Sequence, residues 1–119
     1  MPSQKQRAAE HEAEARDQIV RVCRRMYERG TIAGTDGNVS VRLGEEQLLI
    51  TPSGVHKGDL AQEDLVVADL TGAPVRAAAG RRPSSEILMH LLCYRARPDV
   101  NAVVHAHPIH AVALAVSGV

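Results

Sequence analysis

The sequence predicts one layered domain of the α/β or α+β class, with helices packed against a sheet. Two segments place apolar residues at helical spacing, and short apolar runs bounded by glycine and proline lie between them, which is typical of strands. At 119 residues the chain is long enough to bury a core and is expected to form a single domain over residues 1–119.

The composition excludes several protein classes. Hydrophobic residues make up 45% of the chain, yet Phe and Trp are absent, so Leu, Ile, Val and Ala must fill the interior. Lys plus Arg and Asp plus Glu each number 14, and this balance argues against a nucleic-acid-binding protein. No apolar run approaches the ~20 residues that span a bilayer, and residues 1–7 lack the apolar core of a signal peptide. We expect a cytoplasmic protein that binds neither nucleic acid nor membrane.

The first half of the chain predicts a helix followed by strands. An amphipathic helix over residues 8–29 is expected to end at Gly30. Alternation of apolar and polar residues over 38–43, and the returning run 47–51, predict a hairpin. After a break, a short helical stretch is expected around Leu60–Leu65, and a strand over 66–70.

The second half predicts a helix, a strand and an apolar end. The helix begins at Ser84–Glu86, ends before Pro98, and has a predicted buried stripe. That stripe consists of Ile87, Leu88, Leu91 and Leu92. Ala102–Val104 predicts a short buried strand, and an Ala/Val-rich segment follows over 109–116. Cys23 and Cys93 are expected to be small buried hydrophobes on helix faces.

Two histidines close that last strand in the sequence Val104-His105-Ala106-His107-Pro108. Residues two apart on a strand face the same side, roughly 6.6 Å apart along its axis. Two imidazoles so placed can converge on one zinc ion, whose bonds to nitrogen are about 2.0–2.1 Å long. Two ordinary histidines at a strand end are the alternative.

Small polar residues occur in loops at the ends of the predicted elements. Glycines at 37 and 54 allow a close backbone approach to a ligand, and Asn and Ser side chains add neutral donors. Together with the start of the second helix, these loops could hold a phosphate without any lysine. Each loop also has a purely structural interpretation as a turn, a cap or a strand breaker. Glu86 also has two interpretations. A glutamate is favourable at a helix N-terminus for structural reasons alone, or partial burial could raise its pKa toward the ~6–7 of a general base.

The order of these motifs resembles the class II aldolase/adducin family, and within it the L-fuculose-phosphate aldolases. The motifs are Gly34–Arg42, Leu49–Gly54, Arg82–Glu86 and His105–Pro108, joined by the family-like stretch Tyr94–Val104. The resemblance runs from about residue 17 to the last residue. It implies a largely antiparallel sheet flanked by helices, and a tetramer with active sites between subunits.

The resemblance also implies roles for individual residues. The phosphate-binding positions are Gly37, Asn38, Ser53, Gly54, Ser84 and Ser85. Glu86 matches the catalytic acid/base, while His105 and His107 match two of three histidines that hold a catalytic zinc ion. The implied reaction is zinc-dependent cleavage of a ketose 1-phosphate to dihydroxyacetone phosphate and an aldehyde.

The third zinc histidine of the family belongs to a later strand, which this sequence does not reach. We therefore expect an aldolase-like domain lacking the family's C-terminal part, with the apolar segment 111–116 and a sheet edge left uncovered. His110 is expected to line the site or to pack rather than to bind zinc, and His90 to be a helix-surface or core residue. A pentulose-phosphate 4-epimerase, a dehydratase, and a non-catalytic adducin-like module or inactive fragment remain alternatives to the aldolase.

Overall fold

The computed structural model describes residues 1–118, and Val119, the last residue of the predicted domain, lies outside them. The helices are α1 (Gln4–Glu28), α2 (Ile87–Ala96) and α3 (Ile109–Ser117); the strands are β1 (Asn38–Arg42), β2 (Gln47–Ile50), β3 (Val66–Asp69), β4 (Pro74–Arg76) and β5 (Ala102–His105). Two 3₁₀ turns, Lys57–Asp59 and Gln62–Asp64, replace the single helical stretch predicted near Leu60. The five strands form one sheet in the order β4-β3-β2-β1-β5, with every pairing antiparallel. The predicted mixed α and β class with a largely antiparallel sheet is confirmed.

The long helix α1 covers one face of the sheet. It begins four residues before the predicted start because Ser3 and Gln6 form a reciprocal capping box. Its buried residues are Ala15, Ile19 and Cys23, which pack with Val39, Leu49, Leu60, Leu65 and Val67. Aliphatic side chains thus fill this layer, as the composition predicts.

Helix α2 covers the other face, but its buried stripe differs from the predicted one. Leu88 and Leu92 are 64% and 63% exposed, and Cys93 is also exposed, so these three predictions are wrong. The buried residues are instead Ile87, His90, Leu91 and Tyr94, packed on Leu48, Ile50, Val66 and Ala68. The stripe is rotated toward His90 and Tyr94, whose polar atoms are hydrogen-bonded beneath the helix.

The edges of the sheet account for two further differences. Strand β4 was not predicted because it has only three residues, all of them exposed. It begins with a proline, a residue that edge strands tolerate. Strand β5 was expected to be buried, yet its residues are exposed or half-buried because it is the other edge and pairs only with β1. Among the described residues α3 has none that is buried, which agrees with the expectation that the apolar segment 111–116 is left uncovered.

The described residues include no helix long and apolar enough to cross a membrane.

Candidate active site

One cleft of about 220 Å³ gathers most of the residues predicted to carry the chemistry. Three loops meet there: the entry to β1, the loop after β2 and the loop before α2. Its walls include every predicted phosphate-binding residue: Gly37, Asn38, Ser53, Gly54, Ser84 and Ser85. Glu86 and His107 line it as well, and His105 lies against Glu86.

Backbone hydrogen bonds hold the serine-bearing loops side by side. The Ser53 amide donates to the Arg82 carbonyl at 2.9 Å, and the Ser84 amide donates to the Thr51 carbonyl at 3.0 Å. The Thr51 hydroxyl in turn accepts a bond from the Val39 amide at 3.2 Å, which ties both loops to β1. These residues, far apart in the chain, therefore form one continuous wall of the cleft.

Gly37 is required by the shape of this wall. Its φ of +72° is in the left-handed region that favours glycine. A Cβ atom there would lie 2.6 Å from Ile32 Cγ2 and 2.9 Å from the His105 carbonyl oxygen. A larger residue would push β1 away from the histidines.

The two histidines do converge, although only one of them is in the strand. His105 is the last residue of β5 and is paired in register with Asn38. His107 lies beyond the strand, held by a 2.7 Å bond from its amide to the Thr31 carbonyl. The two ring centroids are 4.7 Å apart.

His105 Nδ1 is a buried polar atom that lacks a hydrogen bond. It lies 2.7 Å from Glu86 Oε2, an ion-pair distance, but the ring orientation does not satisfy hydrogen-bond geometry. The group that faces this nitrogen is the Glu86 carboxylate, so His105 and Glu86 are held against each other at the cleft.

Glu86 is held as a carboxylate. Its Oε2 accepts a 2.8 Å bond from the Asn38 side-chain amide, which lowers the pKa of the carboxyl group. Burial opposes this shift only partly, and the neighbouring imidazoles of His105 and His107 lower the pKa further. The side chain is 46% exposed, so burial does not dominate, and the pKa of Glu86 is lowered, not raised toward that of a general base.

A buried hydrogen-bonded chain fixes the Asn38 amide. Its Oδ1 lies 2.5 Å from His90 Nε2, and His90 Nδ1 lies 2.6 Å from the Ser40 hydroxyl, which lies 2.7 Å from the Tyr94 hydroxyl. Because the Asn38 nitrogen faces Glu86, its oxygen must accept from His90 Nε2–H, and Nδ1 must then accept from Ser40. Burial lowers the pKa of His90 to about 4, with the charge of His105 acting in the same direction. His90 is therefore a neutral core histidine.

This chain of hydrogen bonds was not predicted, although the spacing of its residues is visible in the sequence. Asn38 and Ser40 share one face of β1, while Glu86, His90 and Tyr94 recur every four residues, on one side of a helix. Polar residues at such spacings are typical of solvent-exposed faces, so the pattern alone does not identify a buried hydrogen-bonded chain.

Lys57 was also missed. It is 2% exposed and lines the cleft, and its ammonium nitrogen Nζ donates to the carbonyls of Thr35 and Val55. Nothing in the surrounding sequence, a loop with no regular periodicity, indicates that this lysine is buried.

The remaining histidines lie outside the cleft. His110 is exposed in the first turn of α3, His56 caps the first 3₁₀ turn, and His11 contacts the Arg42 carbonyl. Within residues 1–118, no group of three or more His, Cys, Asp or Glu side chains is arranged to hold a metal ion.

Comparison with known proteins relates this site to one family. Residues 17–118 match the model of the class II aldolase and adducin N-terminal domain. The 5-methylthioribulose-1-phosphate/5-deoxyribulose-1-phosphate aldolase of Escherichia coli O45:K1 is 43% identical over 84% of this chain and 45% of its own. The methylthioribulose-1-phosphate dehydratase of Pseudomonas syringae pv. tomato is 40% identical over 82% of this chain and 47% of its own.

Solved structures show the same relation. An L-fuculose 1-phosphate aldolase matches with a TM-score of 0.77 and 35% identity, over 86% of this chain and 48% of its own. The L-fuculose-1-phosphate aldolase of Thermus thermophilus matches with a TM-score of 0.71 and 37% identity, over 87% and 50%. The chain thus spans about half the length of the relatives it matches.

Proposed function

Because this chain belongs to the class II aldolase and adducin family, we propose that it acts in the zinc-dependent cleavage of a ketose 1-phosphate to dihydroxyacetone phosphate and an aldehyde. The observation that carries the proposal is the cleft in which neutral donors and an ionised carboxylate face one space. L-Fuculose 1-phosphate and 5-methylthioribulose 1-phosphate are the substrates to test first, because named relatives act on them.

The phosphate group would occupy the side of the cleft formed by the glycine and serine loops. The hydroxyl groups come from Ser53, Ser84 and Ser85, and the backbone groups from Gly37 and Gly54. Backbone hydrogen bonds hold these loops together before any ligand binds. Binding energy gained there, away from the reacting carbons, would orient the sugar for the chemical step.

Glu86 would act as the acid/base at the reacting carbon. Breaking the carbon–carbon bond leaves an electron pair on the dihydroxyacetone phosphate half, and a proton must reach that carbon to complete the product. A carboxylate takes up a proton from the sugar hydroxyl and then returns one to carbon. The Asn38 amide holds Glu86 Oε2 in place for both transfers.

His105 and His107 fit the donor preferences of zinc. The observation that supports this fit is the closeness of the two imidazoles, whose ring centroids are 4.7 Å apart beside the Glu86 carboxylate. When bound, zinc would supply Lewis acidity to the sugar oxygens. Within residues 1–118 no group of three or more His, Cys, Asp or Glu side chains is arranged to hold a metal ion, so further ligands would have to come from outside these residues.

Replacing His105 with alanine is expected to weaken zinc binding at least tenfold, because the loss of even an outer-shell partner of a metal site costs about 10–100-fold in affinity. Isothermal titration with zinc, compared between the wild type, His105→Ala and the exposed His110→Ala, measures this effect. Unchanged zinc affinity in His105→Ala would show that the ligand assignment is wrong. His110→Ala should bind zinc as the wild type does.

A dehydratase is the second candidate, because a relative of similar identity carries that name. The two reactions give different products. An enzyme-coupled assay for dihydroxyacetone phosphate with the two ketose 1-phosphates detects cleavage, whereas loss of water gives none of it. Substrate consumption without dihydroxyacetone phosphate would favour the dehydratase, and no turnover of either substrate would count against both.

We further propose that the chain works in the cytoplasm as part of a homotetramer with sites between subunits. The apolar side chains exposed on α3 and β5, including Ile109, Leu114, Val116 and Val104, support association. Light scattering of the purified chain measures its mass in solution, and a monomer would contradict this proposal.

A further inference from the structure

Lys57 is a buried cation without a matching anion. Its side chain is buried, and the residue follows the loop that carries Ser53 and Gly54 in the sequence. No carboxylate of residues 1–118 lies within 4.0 Å of its Nζ. Nζ donates instead to two neutral carbonyls, of Thr35 at 3.1 Å and of Val55 at 3.2 Å. A buried charge is costly unless an opposite charge or strong hydrogen bonds compensate it.

The position of this cation relates it to the cleft. The two bonds from Lys57 Nζ connect the loop that leads to Gly37 with the loop that follows Gly54. The backbone amide of Lys57 also donates to the Gly34 carbonyl at 2.8 Å. Lys57 therefore joins the loops that carry Gly37 and Gly54, both of which line the cleft. It is also a lining residue of the cleft itself.

The carboxylates of the cleft are committed elsewhere. Asp36 accepts a bond from the Ala33 amide and lies 3.9 Å from His107 Nδ1, and Glu86 contacts Asn38 and His105. The side formed by Ser53, Gly54 and Ser84 offers only neutral groups apart from the lysine. An anion bound on that side would supply the missing counter-charge.

We propose that Lys57 is a positioning residue of the phosphate subsite, which holds its two loops together and supplies positive charge to the bound dianion. This inference rests on the proposed phosphate-binding function of the cleft. Burial lowers the pKa of the ammonium group, as expected for a desolvated cation, although Cys23 and Asp36 oppose the shift. A bound dianion would favour the protonated form further.

The sequence provides a matched control, because Lys5 is the only other lysine and is exposed in the first turn of α1. Affinity for inorganic phosphate is measured by calorimetric titration in the presence of a metal chelator. We expect Lys57→Gln, which keeps N–H donors but loses the charge, and Lys57→Met to bind phosphate at least tenfold more weakly. Lys5→Met should bind as the wild type does, and circular dichroism establishes that each variant is folded.

A second measurement uses the unmodified chain and does not depend on a variant folding. With lysine labelled by ¹³C and ¹⁵N, the Lys57 side-chain NMR signals should shift saturably as phosphate is added, and those of Lys5 should stay constant. Phosphate binding by the wild type without a Lys57 shift, or equal affinity in a folded Lys57→Gln, would overturn the role of Lys57 and leave the phosphate site standing. Absence of phosphate binding by the wild type would overturn both.

Discussion

Replacing Glu86 with glutamine is expected to lower kcat for ketose 1-phosphate turnover about 10²–10⁴-fold, the usual contribution of a positioned acid/base. Glutamine keeps the size of the side chain and its acceptor for the Asn38 amide, but it cannot take up a proton. KM should change little, because the phosphate is held by the serine and glycine loops. Steady-state kinetics on the most active substrate of the product assay measures both constants.

The control variant is Glu45→Gln, which makes the same change in an exposed turn between β1 and β2. It should leave both constants at their wild-type values. Zinc content is measured in parallel, because Glu86 lies against His105. If Glu86→Gln lost zinc and activity in equal proportion, the residue would be acting on the metal site and not as the acid/base.

The order of elements could be predicted where periodicity was strong. Residues of α1 repeat at helical spacing, and β1 and β2 alternate about a glycine-containing turn, so both were identified from the sequence. Strand β4 and the exposure of β5 were not predicted, because a strand's place at the edge of a sheet depends on pairing between distant segments. Local patterns do not contain that information.

The residues of the candidate site likewise fall into those that the sequence could predict and those that it could not. Motif residues such as Ser53, Ser84 and Glu86 could be proposed because the sequence resembles a family, and they do line one cleft. The groups beneath them could be proposed only in part: His90 was expected to be a helix-surface or core residue and lies in the core, whereas the burial of Lys57 was not predicted. The direction of the Glu86 pKa shift likewise follows from the Asn38 contact, which joins residues 48 positions apart.

The neutral state of His90 makes the stability of the fold sensitive to acid. In the unfolded chain a histidine has a pKa of about 6.5, whereas in the folded chain burial lowers the pKa of His90 to about 4. Between these values the unfolded state binds more protons, so the stabilising contribution is complete above pH 6.5 and is lost as the pH falls toward 4. The free energy of unfolding should therefore drop by about 2 kcal/mol between pH 7 and pH 5 through this residue.

Urea unfolding at pH 7 and pH 5 tests this expectation on the wild type, His90→Asn and His110→Asn. The first variant removes the buried titrating group and should lose most of the pH dependence, whatever its absolute stability. The second removes an exposed histidine and should keep the wild-type dependence. An unchanged drop in His90→Asn would mean that His90 is not held neutral by the chain through Ser40 and Asn38, and that other groups cause the acid sensitivity. Because that chain also orients the amide that holds Glu86, loss of the pH dependence should be accompanied by a lower kcat in the same variant.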